Sequence, residues 1–74
     1  MRPIVALGEP LYEFSRIPGT RDFAQGFCGD TSNVVVAAAR AGARVVYLTR
    51  VGDDPFGQEL LAMWRHEGVD VSAI

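Results

Sequence analysis

The sequence contains no lysine: all seven basic residues are arginine, scattered from Arg2 to Arg65 along 74 residues. A Gly-x-x-x-x-Gly-Lys-Ser/Thr phosphate loop is therefore excluded, and Gly-x-Gly-x-x-Gly is missing after the first strand as well. The arginines never cluster, and nine acidic residues bring the net charge to −2, so there is no basic patch for nucleic acid. A single cysteine excludes an internal disulfide framework and a thiolate zinc site, and fits a reducing cytoplasm. The single histidine, His66, has no metal-ligand or nucleophile partner at a useful spacing and is expected on the surface. No apolar run reaches the roughly 18 residues of a membrane span, and no basic segment followed by a long apolar stretch reads as a signal peptide. Repeats and low-complexity segments are absent.

What the sequence does have is a globular composition, with 49% hydrophobic residues, arranged around the stretch Gly26–Gly42. Small and polar residues open it, and an unbroken run of valine and alanine follows. That switch marks a loop feeding the first turn of a buried helix. Asp30, Thr31, Ser32 and Asn33 are the residue types that cap helix N-termini, and four in a row exceeds what one cap requires. A first helical turn also offers free backbone N–H groups and the positive end of the helix dipole. Polar side chains grouped there suit an anionic or hydroxyl-rich small molecule. Plain capping, without a partner glutamate, is the alternative.

In chain order, Pro3–Leu7 is a short apolar run ended by Gly8, the pattern of a strand buried on both faces of a parallel sheet. Leu11–Ile17 and Phe23–Phe27, separated by the turn signals Pro18-Gly19-Thr20-Arg21-Asp22, predict a β-ribbon. Its aromatics Tyr12, Phe14, Phe23 and Phe27 are expected to cover a neighbouring subunit, a pocket mouth or the main sheet. A helix is predicted over Thr31–Ala41, buried on most sides and closed by Gly42. Arg44–Val51 reads as a second buried strand. Asp53 or Asp54 then caps a second helix with Pro55 at its first position, carrying the apolar stripe Phe56, Leu60, Leu61, Met63 and Trp64. Val69–Ile74 reads as a third strand just beginning, so the chain is expected to be the front portion of a longer protein. The order β–ribbon–α–β–α–β predicts an α/β layered fold with right-handed crossovers.

The best candidate site is Gly29–Asn33. Gly29 permits close backbone approach of a ligand. Asp30 and Asn33 are placed to hydrogen-bond sugar hydroxyls, and the N–H groups of Thr31 and Ser32 to meet a carboxylate. Glu9 sits just past the carboxyl end of the first strand, where open α/β sheets place ligands; an exposed loop carboxylate is the alternative. Cys28 has no basic activator and reads as a packing residue. Asp53 and Asp54 are explained by capping, and Arg50 faces a ligand or pairs with one of them.

The series Gly8-Glu9-Pro10, Gly29-Asp30-Thr31-Ser32-Asn33, Val51-Gly52-Asp53-Asp54-Pro55-Phe56-Gly57 and Glu67-Gly68-Val69-Asp70 resembles the ribokinase-like (PfkB) sugar kinases. Within that family, Gly-Glu-Pro and Gly-Asp-Thr-Ser-Asn look most like 2-keto-3-deoxygluconate kinases. The resemblance implies a ribokinase-like three-layer sandwich with a β-ribbon lid, of which only the N-terminal part is present here. It implies that Gly29, Asp30, Thr31, Ser32 and Asn33 hold a sugar or sugar acid. Residues 11–27 would be the lid over that site and the surface through which the protein forms a homo-oligomer. ATP and Mg²⁺ are implied as cofactors, bound by residues outside this segment, and so is a catalytic aspartate; the segment alone is expected to be inactive. Cys28 stands where the family usually has a glycine. A fructokinase or another PfkB kinase is the alternative substrate reading. A Rossmann oxidoreductase domain and a non-catalytic assembly module are alternatives of another class.

Overall fold

The computed structural model describes Arg2–Ile74, in which strands β1 (Ile4–Leu7), β2 (Leu11–Arg16) and β3 (Phe23–Cys28) precede helix α1 (Asp30–Arg40). Strand β4 (Val45–Leu48) and helix α2 (Pro55–His66) follow. β1 and β4 pair in parallel, Ile4 opposite Val45 through Leu7 opposite Leu48. Because side chains alternate along a strand, this register puts Ile4, Ala6, Val45 and Tyr47 on one sheet face and Val5, Leu7, Val46 and Leu48 on the other. Both helices pack on the first face. The core there is Val35, Val45, Tyr47, Leu60, Trp64 and Val69, with the Tyr47 and Trp64 rings edge to face at 4.8 Å.

Three expectations are corrected. Within Arg2–Ile74, β1 is not buried on both faces: Val5 is 57% and Leu7 80% exposed, because the helices among these residues cover one face only and β1 pairs on one side only. α1 is not buried on most sides, for the same reason. Ser32 and Val35 point into the core, while Asn33, Val34 and Ala37 are exposed. Val69–Ile74 does not form a strand. It makes one parallel bridge, Val46 with Asp70, after which Asp70 Oδ1 accepts from the Ser72 backbone N–H (2.9 Å) and hydroxyl (2.6 Å) and bends the chain into a turn.

The helix ends follow the sequence closely. Asp54 caps α2, its Oδ1 accepting from Gly57 N at 2.8 Å with Pro55 in the first helical position. α1 closes on Gly42 in the left-handed region, with Gly42 N donating to Ala39 O and Ala43 N to Ala38 O. α2 ends in the same way at Gly68, whose successor Val69 folds back onto Trp64 in the core.

β2 and β3 form the expected ribbon, an antiparallel hairpin with Leu11 opposite Cys28 and Arg16 opposite Phe23. The turn is closed by its own bonds, including Ile17 N to Asp22 O at 2.9 Å and Arg16 Nε to Thr20 O at 2.8 Å. Alternation puts Tyr12, Phe14, Phe23 and Phe27 on one face with Arg16 and Gln25, and Leu11, Glu13, Ser15, Ala24, Gly26 and Cys28 on the other, which carries no aromatic. The aromatic face packs on α2, not on the main sheet: the Phe56 ring lies 4.9 Å from Tyr12 and 5.8 Å from Phe14. Among the described residues no helix is long and apolar enough to cross a membrane.

Candidate functional site

A cavity of about 550 Å³ opens where the roots of the ribbon meet the start of α1, lined by Glu9, Leu11, Cys28, Gly29, Asp30, Thr31 and Asn33. Five of the six residues singled out from the sequence are therefore brought together, with β1 delivering Glu9 and β3 delivering Gly29 to the same rim.

Two glycines make this convergence possible. Gly29 has φ of 103°, and a Cβ there would sit 2.9 Å from both Glu9 O and Leu11 N. Only glycine lets β3 cross the outgoing strand so closely and turn into the helix. A Cβ on Gly8 would fall 2.0 Å from Thr31 Oγ1, so the missing side chain at the end of β1 is the space Thr31 occupies.

The polar cluster does not cap its own helix. Gly29 is the N-cap residue and no side chain accepts from the first turn, so plain capping does not account for Asp30 through Asn33. The first intrahelical bond runs from Asn33 N to Gly29 O at 3.0 Å. The preceding amides have no intrahelical acceptor, as at any helix start, and Asp30 and Asn33 are exposed at the cavity's edge.

Ser32 is the exception. Its side chain is 2% exposed and its Oγ accepts a hydrogen bond from Trp64 Nε1 at 3.0 Å, on the core side of α1. A buried indole N–H needs an acceptor, and Ser32 is the one supplied. Its hydroxyl is thus spent on packing α2 against α1 rather than on the cavity.

Leu11 joins the lining through the ribbon register, which sets it opposite Cys28 and which its sequence neighbours do not signal. Cys28 is half-buried on the same wall. Arg50 and Asp53 line a separate depression of about 240 Å³ with Gln58, and Arg50 forms no ion pair with Asp53 or Asp54. The ion pair observed is Arg40 with Glu67, two bonds of 2.8 and 2.6 Å joining the ends of the two helices; it holds the Glu67 carboxyl below its usual range. His66 is exposed, as expected.

No group of three or more His, Cys, Asp or Glu side chains among the described residues is arranged to hold a metal ion. The described residues do not fit an Mg²⁺ site, and no step through a metal is assigned to them. Chemically, the cavity offers hydrogen-bond acceptors at Glu9 and Asp30, an amide at Asn33, and a helix N-terminus suited to a carboxylate.

Known proteins share this fold. The pattern of the pfkB family carbohydrate kinases matches residues 1–74. A 2-dehydro-3-deoxygluconokinase of Thermoproteus tenax is 40% identical over 79 residues, covering 100% of this chain and 24% of that protein. The enzyme of that name from Escherichia coli K12 is 39% identical over 75 residues, covering 96% and 24%. Among solved structures, fructokinase from Vibrio cholerae O395 in its fructose-, ADP- and calcium-bound form superposes with a TM-score of 0.88 at 29% identity, covering 97% of this chain and 23% of that one. The chain spans about a quarter of the length of the curated relatives it matches. The match runs through every element described above, the ribbon included, and places this chain in the pfkB family of carbohydrate kinases, with the ribokinase-like fold.

Proposed function

We propose that this chain is the sugar-binding N-terminal portion of an ATP-dependent carbohydrate kinase acting on 2-keto-3-deoxygluconate, the 2-dehydro-3-deoxygluconate of its relatives' names. The observation that carries the reading is the uncapped start of α1 opening into a cavity between Glu9 and Asn33. A sugar acid fits both of its features. The carboxylate meets the N–H groups and dipole of the first turn, and the hydroxyls meet Asp30, Asn33 and Glu9. Gly29 and Thr31 shape the floor, and Ser32 supports it from the core. The ribbon 11–27 serves as the lid.

In the complete enzyme a substrate hydroxyl attacks the γ-phosphorus of ATP in line, a carboxylate base takes the hydroxyl proton, and ADP leaves. This segment's part is to bind and orient the hydroxyl and to exclude water. Mg²⁺, when bound elsewhere in the enzyme, offsets phosphate charge. A cytoplasmic setting, with its ATP, suits this chemistry. Leu11, Phe14 and Phe23 leave apolar surface on the ribbon, 54%, 52% and 58% exposed, which supports pairing of subunits there.

The second reading is a fructokinase, favoured by the superposition on the fructose-bound Vibrio cholerae enzyme. Phosphorylation of 2-keto-3-deoxygluconate and of fructose by the full-length protein separates the two. Turnover of the keto-deoxy acid in preference to fructose supports the first. Activity on fructose alone removes it.

A further inference from the structure

Apart from its roots, the ribbon meets the body through its aromatic face. That face meets the first turns of α2, where Phe56 lies against Tyr12 and Phe14, and where the Tyr12 hydroxyl donates to Glu59 Oε2. Gln25 Oε1, across the ribbon, lies 2.7 Å from that hydroxyl and is the alternative acceptor for its one proton. The Phe27 ring stands edge-on to Tyr12 at 5.5 Å, so both strands are tied through this one tyrosine. Among the described residues, Tyr12 also packs against the buried core and Phe27 shares a depression with Val36 and Ala37 of α1 and Met63 of α2, while the rest of β2 and β3 makes few contacts with other elements. Tyr12 directly follows Leu11, whose cross-strand partner is Cys28, and both Leu11 and Cys28 line the cavity at Gly29–Asn33.

We propose that Glu59 is a positioning residue: through its hydrogen bond to Tyr12 it fixes the angle at which the ribbon stands over the cavity, and so sets how tightly the sugar acid is held. Glu59 touches no substrate. Pulling Tyr12 toward α2 tilts the wall formed by Leu11 and Cys28, because neighbouring residues on one strand move together. The crossing at Gly29, where no Cβ fits, makes the ribbon roots a tight pivot for that tilt. The inference rests on the reading of the cavity as the sugar site, and a measurement made without substrate keeps the two apart.

That measurement is tryptic cleavage after Arg16 and Arg21, which flank the exposed turn of the ribbon. In the full-length protein, Tyr12→Phe keeps the ring and removes the donor, Glu59→Ala removes the acceptor, and Glu59→Gln keeps an acceptor without the charge. Tyr12→Phe and Glu59→Ala are expected to speed cleavage about two- to tenfold, the shift one net hydrogen bond supports. Both should raise KM for 2-keto-3-deoxygluconate by a like factor, leaving kcat and the KM for ATP unchanged. Glu59→Gln should restore most of both, and the double variant Tyr12→Phe, Glu59→Ala should be no worse than either single change. Wild-type cleavage in both single variants overturns the latch. Faster cleavage with an unchanged sugar-acid KM overturns the positioning role. If Asn33→Ala also leaves that KM unchanged, the reading of the cavity has failed instead, and the substrate-free cleavage rate still decides for or against the latch.

Discussion

Ser32→Ala separates packing from binding at the start of α1. In the folded protein, Ser32 Oγ is the acceptor for the Trp64 indole N–H, and Trp64 is fully buried. Removing the hydroxyl leaves that N–H in the core without a partner, at a cost of about 1–3 kcal/mol. Alanine's better helix propensity returns roughly 0.5 kcal/mol. The expected net loss is therefore about 0.5–2.5 kcal/mol, and each kcal/mol lowers Tm by about 4–8 °C in a chain of this size. Urea unfolding followed by circular dichroism reads the change. Trp64→Phe in the same background removes the stranded donor, so the two substitutions should be strongly non-additive. In the full-length enzyme, Ser32→Ala should leave the sugar KM nearly unchanged. A stability loss below about 0.5 kcal/mol, less than the smallest net effect of a lost buried hydrogen bond, would refute the packing role. So would a sugar KM effect without loss of stability.

Further outcomes follow from the same geometry. Gly29→Ala puts a Cβ 2.9 Å from two backbone atoms at a φ of 103°, and strain of this kind costs about 1–3 kcal/mol, measurable by chemical denaturation. The Tyr12 phenol is pushed up to about 12, chiefly by its hydrogen bond to Glu59, then by burial and by the Glu59 charge. A raised pKa means the stabilisation is complete below the free-tyrosine value of 10.0 and is lost as pH rises through about 12. In a spectrophotometric titration Glu59→Ala should move the Tyr12 phenol back toward 10.0, while Tyr47, raised by its burial, stays late. For Glu67 the sign is opposite. Arg40 lowers its pKa from 4.5, so the pair's stabilisation is present above that value and fades as pH falls through the lowered one. The stability difference between wild type and Arg40→Gln should shrink accordingly in acid unfolding.

Where residues act through local rules, the sequence was readable. Asp54-Pro55 starts α2, and Gly42 and Gly68 end both helices, because caps and left-handed glycines are decided within a few residues. The ribbon and its turn followed from two strand-like runs on either side of Pro18-Gly19-Thr20-Arg21-Asp22, and its register came from the structure. Gly29–Asn33 stood out because surplus polar groups before an apolar helix have few uses. What failed depended on distant partners. Ser32 looks like its neighbours in the sequence, and only the crossing of α1 and α2 sets it beneath Trp64, 32 positions away. Tyr12 and Glu59 lie 47 positions apart and meet only because the ribbon leans on α2. The exposure of Val5 and Leu7 likewise depends on which layers cover the sheet, and their apolar character alone does not say.

On the proposed reading, the start of α1 holds the sugar and not the nucleotide. Substrate kinetics of Asn33→Ala in the full-length enzyme test it most directly. Loss of one polar contact worth about 1–3 kcal/mol should raise KM for 2-keto-3-deoxygluconate by about 5- to 150-fold and leave the KM for ATP nearly unchanged. An equal rise in both constants, or no rise in the sugar constant, would contradict the account.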